Sequence, residues 1–405
     1  TARKRILFLT PQLPFPPEQG TTLRNYNLIA QVARRHDVAL LSFGEPSADP
    51  GPLAQLCRPL GLVPAPRRTL RRRLWDMLSS RRPDMALRLA SLDYADALHA
   101  LLWQESFDLI QVEGLEMAPA VFALGAEGLR RSILDAHNAE YRLQAQAFRL
   151  ALAERRPLAA VYAGLQALKL ARFEGECLRR MRAAIAVSTE DAAALERLAG
   201  RQPLRLAVVP NGIDCTLWRP AELPPAEPPV VLFTGTMDYR PNVDAVDWFA
   251  RAIWPRVRRV VPEARFVIVG RAPAPAVQAL AHLPGITVTG AVPDDRPHFA
   301  RAAVYVVPVR FGGGVRFKVL QALACGLPVV STRAGASGLV PPVREALVLA
   351  DDPVAFAEEV VMLLRTPARR QRLAALGRER VVAAYDWSQI WPRLLTFVDE
   401  VGRCG

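Results

Sequence analysis

Short apolar runs alternate with stretches of helical spacing along the whole chain, and that alternation limits the fold more than any other feature. In the first half the runs are Ile6–Leu9, Val38–Phe43, Leu109–Val112, Ser132–Leu134, Ala183–Val187 and Leu206–Val209. Leu23, Tyr26, Leu28, Ile29, Val32 and Ala33 recur at helical spacing between the first two and predict a helix over Thr22–Arg35. A further helix is expected over Glu190–Leu198. Runs that are apolar throughout, without alternation, are strands covered on both faces, and helical crossovers between them make the sheet parallel.

The pattern occurs twice. Residues 219–229, Arg-Pro-Ala-Glu-Leu-Pro-Pro-Ala-Glu-Pro-Pro, show no periodicity and read as an extended, semi-rigid linker. A second series starts directly after it, with strands Val230–Thr234, Arg265–Val269, Ile286–Thr289, Val304–Val307 and Pro328–Ser331. Val354–Leu364, Pro367–Tyr385 and Ser388–Val401 read as helices. The expected architecture is α/β, with two Rossmann-like, doubly wound parallel-sheet domains facing across a cleft. Residues 1–218 form the first domain, 219–229 the linker, 230–385 the second domain and 386–405 a C-terminal helix. A length of 405 residues suits two such domains. Ligands in these sheets sit beyond the carboxyl ends of the strands, so the loops after strands are where chemistry is expected.

Composition removes several function classes. Hydrophobic residues make up 51% and charged residues 22%, which excludes a disordered chain. No apolar run reaches the roughly 18 residues of a membrane span. The opening Ala2-Arg3-Lys4-Arg5-Ile6-Leu7-Phe8-Leu9 has a basic start, but Pro11 stops its apolar run far short of a signal peptide. Cysteines 57, 177, 215, 325 and 404 are odd in number and unpaired in spacing, so neither a disulfide framework nor a zinc site is expected. The expected location is the reducing cytoplasm.

The formal charge of +13 is unevenly spread. Residues 58–88 hold nine arginines against Asp76 and Asp84, a net of +7. Leu70, Leu74, Met77 and Leu78 recur at helical spacing there, with Trp75 beside them and Arg67, Arg68, Arg71, Arg72 and Arg73 on the same turns. Two readings of 67–82 stand. One is a basic amphipathic helix in peripheral contact with an anionic membrane at its inner face. The other is a solvated helix whose apolar face packs on its own domain. No zinc-finger, RRM or KH signature accompanies the charge, so nucleic acid is not expected as a partner. Only three of the 52 cationic residues are lysines: Lys4, Lys169 and Lys318.

Lys318 closes the most unusual loop of the chain, Val307-Pro308-Val309-Arg310-Phe311-Gly312-Gly313-Gly314-Val315-Arg316-Phe317-Lys318. It follows a strand and precedes the helix expected over Val319–Cys325. Gly312, Gly313 and Gly314 free backbone N–H groups to cradle phosphate oxygens at a helix N-terminus. Arg316 and Lys318 add the cationic charge that a diphosphate requires.

The continuation Ala322-Leu323-Ala324-Cys325-Gly326-Leu327-Pro328-Val329-Val330 resembles the GT-B glycosyltransferases of the retaining family-four type. Val209-Pro210-Asn211-Gly212-Ile213-Asp214, Phe233-Thr234-Gly235-Thr236-Met237 and Ile268-Val269-Gly270 agree with it. Met237-Asp238-Tyr239-Arg240-Pro241-Asn242-Val243-Asp244 is similar to a subgroup associated with bacterial exopolysaccharide assembly. The resemblance spans nearly the whole chain and is most specific over 205–335. It implies transfer of a sugar from a nucleotide-sugar donor to a glycan or lipid-linked glycan acceptor, with retention and without an essential metal or cofactor. It also implies that the last helix crosses back to the N-terminal domain.

Residue by residue, Gly20 and Thr21 match the family's glycine loop near the donor diphosphate. His137 matches the histidine that contacts the donor sugar, and Asn211 and Gly212 match the interdomain loop. Gly235, Arg240, Gly312, Gly313, Gly314, Val315 and Gln321 complete the expected donor site, with His137, Arg316 and Lys318 as the catalytic set.

Two departures stand out. The family usually carries glutamates at the positions of Gly313 and Gln321; Gln321 keeps the ability to hydrogen-bond ribose hydroxyls, whereas Gly313 has no carboxylate. The usual Arg and Lys after the first strand of the second domain are replaced by Thr236 and Pro241, which assigns diphosphate neutralisation to Arg316 and Lys318. These losses make a degenerate, non-catalytic nucleotide-sugar-binding protein the alternative to an active enzyme. A nicotinamide-dependent oxidoreductase is disfavoured, because Thr10-Pro11-Gln12-Leu13-Pro14 after the first strand contains no GxGxxG.

Overall fold

The computed structural model describes residues 2–17, 20–153, 155–221, 226–311 and 317–403. They divide into two compact units, Thr1–Pro210 with Trp391–Gly405, and Asn211–Ile390.

The first unit contains a seven-stranded parallel sheet. Its strands are β1 (Arg5–Thr10), β2 (Asp37–Phe43), β3 (Cys57–Val63), β4 (Leu109–Glu113), β5 (Ser132–Ala136), β6 (Ala183–Ala186) and β7 (Leu206–Val208). They lie in the order β3-β2-β1-β4-β5-β6-β7. The second unit has six parallel strands: β8 (Val230–Thr234), β9 (Arg265–Val269), β10 (Ile286–Val288), β11 (Val304–Val307), β12 (Val329–Ser331) and β13 (Val348–Leu349). Their order is β10-β9-β8-β11-β12-β13. Helices cover both faces, which is why Leu7, Phe8 and Leu9, or Val304 to Val307, are buried without alternation. Each sheet reverses its strand order beside its own first strand, between β1 and β4 and between β8 and β11. Each therefore has a crevice at the carboxyl ends there.

Two edge strands are absent from the sequence expectation. β3 contains Pro59 and Gly61, which disguise a strand; at an edge the missing proline N–H removes no ladder bond that the sheet needs. β13 is only two residues long. The basic stretch forms a helix over Leu70–Ser79, shorter than 67–82.

The second unit begins at Asn211, ahead of the proline stretch. Ile213 bridges to Asp386, the Cys215 N–H donates to Asp386 Oδ2 (3.1 Å), and Arg378 donates to the Trp218 carbonyl (3.2 Å). Beyond it, the Ala226 N–H donates to Arg301 O at 2.9 Å. The last helix, Trp387–Arg403, joins the first unit from Trp391 onward. Its Leu394 and Val398 line an apolar space with Ile6, Phe8, Leu28 and Val32, and Lys4 Nζ donates to Asp399 O (2.9 Å). Among the described residues no helix is long and apolar enough to cross a membrane.

Candidate functional site

In the first unit, three chain segments meet at the carboxyl ends of β1, β4 and β5. Glu113 ends β4, Asp135 lies near the end of β5, and His137 follows β5 directly. The helix Gly20–Val32, which begins with Gly20 and Thr21, contributes Arg24 and Asn25. The Arg24 guanidinium takes both oxygens of Asp135, at 3.0 and 2.9 Å, and also donates to Val209 O at 3.0 Å. Both partners of this ion pair are fully buried.

Glu113 is buried beside it. Its Oε2 accepts from His137 Nε2 at 3.2 Å and from the Asn25 amide at 2.9 Å, and Asn25 also donates to Thr21 O. The start of the helix and the histidine are thereby tied to one carboxylate. Burial by itself pulls the His137 imidazole down, but the Glu113 hydrogen bond and the charges of Asp135 and Glu113 outweigh it. The imidazole therefore holds its proton above the ordinary histidine range. Burial, with Asp135 nearby, pushes the Glu113 carboxyl up. Glu113, Asp135 and His137 each bring a potential ligand atom within 4.8 Å of the others. Arg24 already occupies both oxygens of Asp135, however, and its charge opposes a metal cation.

His137 opens onto a cavity of about 180 Å³, lined also by Thr21, Gly114, Asn138, Glu140 and Glu174. Burial pushes Glu140 up to about 7 and Glu174 up to about 8. The Glu174 carboxylate accepts the N–H groups of Glu140 (3.1 Å) and Tyr141 (3.2 Å), the free donors at the start of the helix Glu140–Ala153.

In the second unit, Gly235 follows β8, and Lys318 lies in the first turn of the helix Phe317–Ala324 after β11. Lys318 Nζ donates to Asn242 Oδ1 (2.7 Å) and sits 4.2 Å from the centroid of the Phe233 ring. Asn242 donates in turn to Thr236 O at 2.9 Å. A Cβ on Gly235 would stand 2.8 Å from Lys318 Nζ, so glycine is what admits the ammonium here. A Cβ on Gly270, after β9, would collide with the Gly235 carbonyl oxygen, so the two loops meet backbone to backbone.

Gln321 lies one turn beyond Lys318 and is half-buried. Arg240 opens the helix Arg240–Trp248 and stacks over Phe311, 5.5 Å from its centroid. Asn211 is the first residue of the second unit, and the following Gly212 is pressed against the Trp387 indole. Gly312, Gly313, Gly314, Val315 and Arg316 lie outside the described residues.

The sequence reading missed Glu113, Arg24, Asn25 and Asn242 as site residues. Glu113 could have been found as the charged residue closing the Leu109–Val112 run; the others show no signal apart from a polar residue in the first two turns of a helix after a strand. A larger open groove of about 960 Å³, lined by Pro220, Gly326, Arg378 and Val382, lies past the C-terminal end of the helix Phe317–Ala324. It lies away from the strand carboxyl ends and carries none of these groups.

Comparison with known proteins is consistent across both units. Residues 19–217 match the family model Glycosyltransferase Family 4, and residues 228–366 match Glycosyl transferases group 1. A phosphatidyl-myo-inositol mannosyltransferase of Propionibacterium freudenreichii is 29% identical over 272 residues, covering 63% of this chain and 66% of the relative. A GDP-mannose-dependent alpha-(1-6)-phosphatidylinositol monomannoside mannosyltransferase of Mycobacterium tuberculosis is 31% identical over 224 residues, 49% of this chain and 57% of the relative. The chain thus spans under two thirds of the length of these relatives.

Among solved structures, sucrose-phosphate synthase from Thermosynechococcus elongatus superimposes with a TM-score of 0.76 at 18% identity, covering 100% of both chains. Anabaena Alr3699/HepE, in complex with UDP and glucose, gives a TM-score of 0.61 at 16% identity over 99% of each chain.

Proposed function

For a chain that belongs to the GT-B glycosyltransferases, with family 4 and group 1 domains, we propose transfer of a sugar from a nucleoside-diphosphate donor to a hydroxyl acceptor, with retention at the anomeric carbon. The observation that carries this reading is Lys318 Nζ, set against Gly235 and Asn242 at the point where the second sheet reverses its order. An ammonium fixed beside a glycine at a strand's carboxyl end is suited to an anion lying on the backbone.

In the proposed reaction the bond between the anomeric carbon and the phosphate oxygen breaks, and the diphosphate leaves with the electron pair. Lys318 and Arg316 neutralise the charge that develops there. The acceptor hydroxyl attacks from the same face and gives its proton to the departing phosphate. His137 contacts the donor sugar. Gly20, Thr21, Asn211 and Arg240 border the donor, and Gln321 bonds its ribose. With the charge met by these cations and by amides of the glycine loop, the reaction uses no metal or cofactor.

The proposed acceptor is a glycan or lipid-linked glycan of bacterial surface or exopolysaccharide synthesis, met in the cytoplasm. Two relatives named for mannosyl transfer to phosphatidylinositol or its monomannoside support a lipid-linked acceptor, and the HepE complex with UDP and glucose supports the donor class.

The test is incubation with UDP-, GDP- and ADP-sugars and a polyprenyl-diphosphate glycan, following nucleoside diphosphate release and the anomeric proton of the product. Release with one donor, an unchanged anomeric configuration and loss of turnover in His137→Ala are expected. Donor binding without turnover would instead identify a non-catalytic nucleotide-sugar-binding protein.

A further inference from the structure

We infer that the helix Leu70–Ser79 is a docking element for an anionic lipid surface, tied to its domain by its charged side and presenting its apolar side outward. A surface helix ordinarily buries its apolar stripe. Here Leu70, Leu74 and Trp75 are 76%, 59% and 66% exposed. Leu70, Leu74 and Trp75 therefore do not pack on their own domain, while Met77 on the same helix is half-buried.

The attachment is polar. Arg68 pairs with Asp84 (2.6 Å) of the following helix, and within the segment Asp76 takes Arg68 (3.0 Å) and Arg72 (3.1 Å). Arg73 pairs with Asp84 (2.8 Å) and donates to Tyr162 Oη (3.0 Å). At the far end, Lys169 Nζ donates to the carbonyls of Met77 (2.6 Å) and Ser80 (2.8 Å), satisfying acceptors that a helix C-terminus leaves open.

This arrangement consumes both aspartates of the 58–88 stretch. Arg67, Arg71 and Arg81 remain exposed and form no ion pair among the described residues. Apolar and cationic side chains thus share one outward surface. A second apolar row flanks it: Leu158, Val161 and Leu168 are exposed at helical spacing on Pro157–Arg180, the helix that also carries Tyr162 and Lys169.

The charge selects the occupant. Arginine guanidinium groups bond headgroup phosphates in pairs, while leucine and tryptophan enter the boundary between headgroups and acyl chains. A helix this short lies in the interface and does not span it. The inference does not depend on the donor site, so the two can fail separately.

The experiment is co-sedimentation with phosphatidylcholine vesicles with and without phosphatidylglycerol, using the full chain, Leu74→Ser/Trp75→Ser and Arg67→Ser/Arg71→Ser. The wild type should bind the anionic vesicles at least about tenfold more tightly than the neutral ones, and less tightly as salt is added. The Leu74/Trp75 variant should lose about tenfold or more on anionic vesicles. The Arg67/Arg71 variant should lose a similar factor on anionic vesicles only.

All four positions are exposed, so melting temperature and nucleotide-induced thermal shifts should match the wild type. Equal binding of the wild type to both vesicles, or unchanged binding by the Leu74/Trp75 variant, would overturn the inference. So would a wild-type dimer in sedimentation velocity that the Leu74/Trp75 variant abolishes, because the face would then join two copies.

Discussion

Glu113 Oε2 lies 3.2 Å from His137 Nε2, joining the ends of two neighbouring strands through one buried carboxylate. With Nε2–H committed to Glu113, Nδ1 is the nitrogen left for a ligand in the adjoining cavity. Glu113→Gln keeps an acceptor but removes the charge, so the His137 titration should move down towards the ordinary histidine value in proton NMR. His137→Ala should lower kcat by about 10²-fold or more if the ring touches the donor sugar. An unmoved titration in Glu113→Gln would show that the carboxylate does not set the protonation of the ring.

Lys318→Ala should raise donor KM and lower kcat together, with kcat/KM falling on the order of 10²-fold, because the diphosphate loses its fixed cation. Arg316→Ala should act in the same direction. Steady-state kinetics with a saturating acceptor check both, and unchanged constants would remove these residues from the donor site.

The fold was readable because parallel strands covered on both faces leave uninterrupted apolar runs, and most strand positions appear that way. β3 was not, since Pro59 is accommodated by its edge position, a tertiary fact, and Gly61 breaks the apolar run. In the second unit, the meeting of Gly235 and Lys318 was legible where backbone chemistry dictates residue type: a glycine after β8, and a lysine opening the helix after β11. Glu113, Arg24 and Asn25 were not, because their roles depend on strands far apart in the chain lying side by side. The helix at Leu70–Ser79 was visible as amphipathic, but the sequence could not say which face points inward; that depends on Tyr162 and Lys169, some ninety residues away.

The Arg24–Asp135 pair makes a stability prediction. Both side chains are fully buried, so Asp135→Asn leaves an uncompensated guanidinium and should cost about 3–5 kcal/mol in urea unfolding. Arg24→Met with Asp135→Leu removes both charges and should recover most of that loss. If the double variant is as unstable as the single one, hydrogen bonding of Arg24 to Val209 O and not charge burial is the dominant contribution.

Glu140 and Glu174 give a pH dependence of definite sign. Burial raises their folded-state values to about 7 and about 8, above the unfolded value of 4.5. The folded state therefore binds more protons between those limits. The stability these groups contribute is fully present below about pH 4.5 and is lost as pH rises through 7 to 8. Calorimetry should show a melting temperature several degrees lower at pH 9 than at pH 5 for this contribution, and Glu140→Gln should flatten the slope. A wild-type slope retained in Glu140→Gln would place the titrating proton elsewhere.

In the proposed reaction a nucleoside diphosphate binds at Lys318. The most direct measurement is a thermal-shift panel of UDP, GDP, ADP, CDP and NAD on the wild type and Lys318→Ala. A ligand at a hundred times its Kd adds roughly 2.7 kcal/mol, enough to move the transition visibly. One nucleoside diphosphate should shift the transition, NAD should not, and the shift should be reduced in Lys318→Ala. No shift with any diphosphate, or the same shift in both proteins, would contradict binding at Lys318.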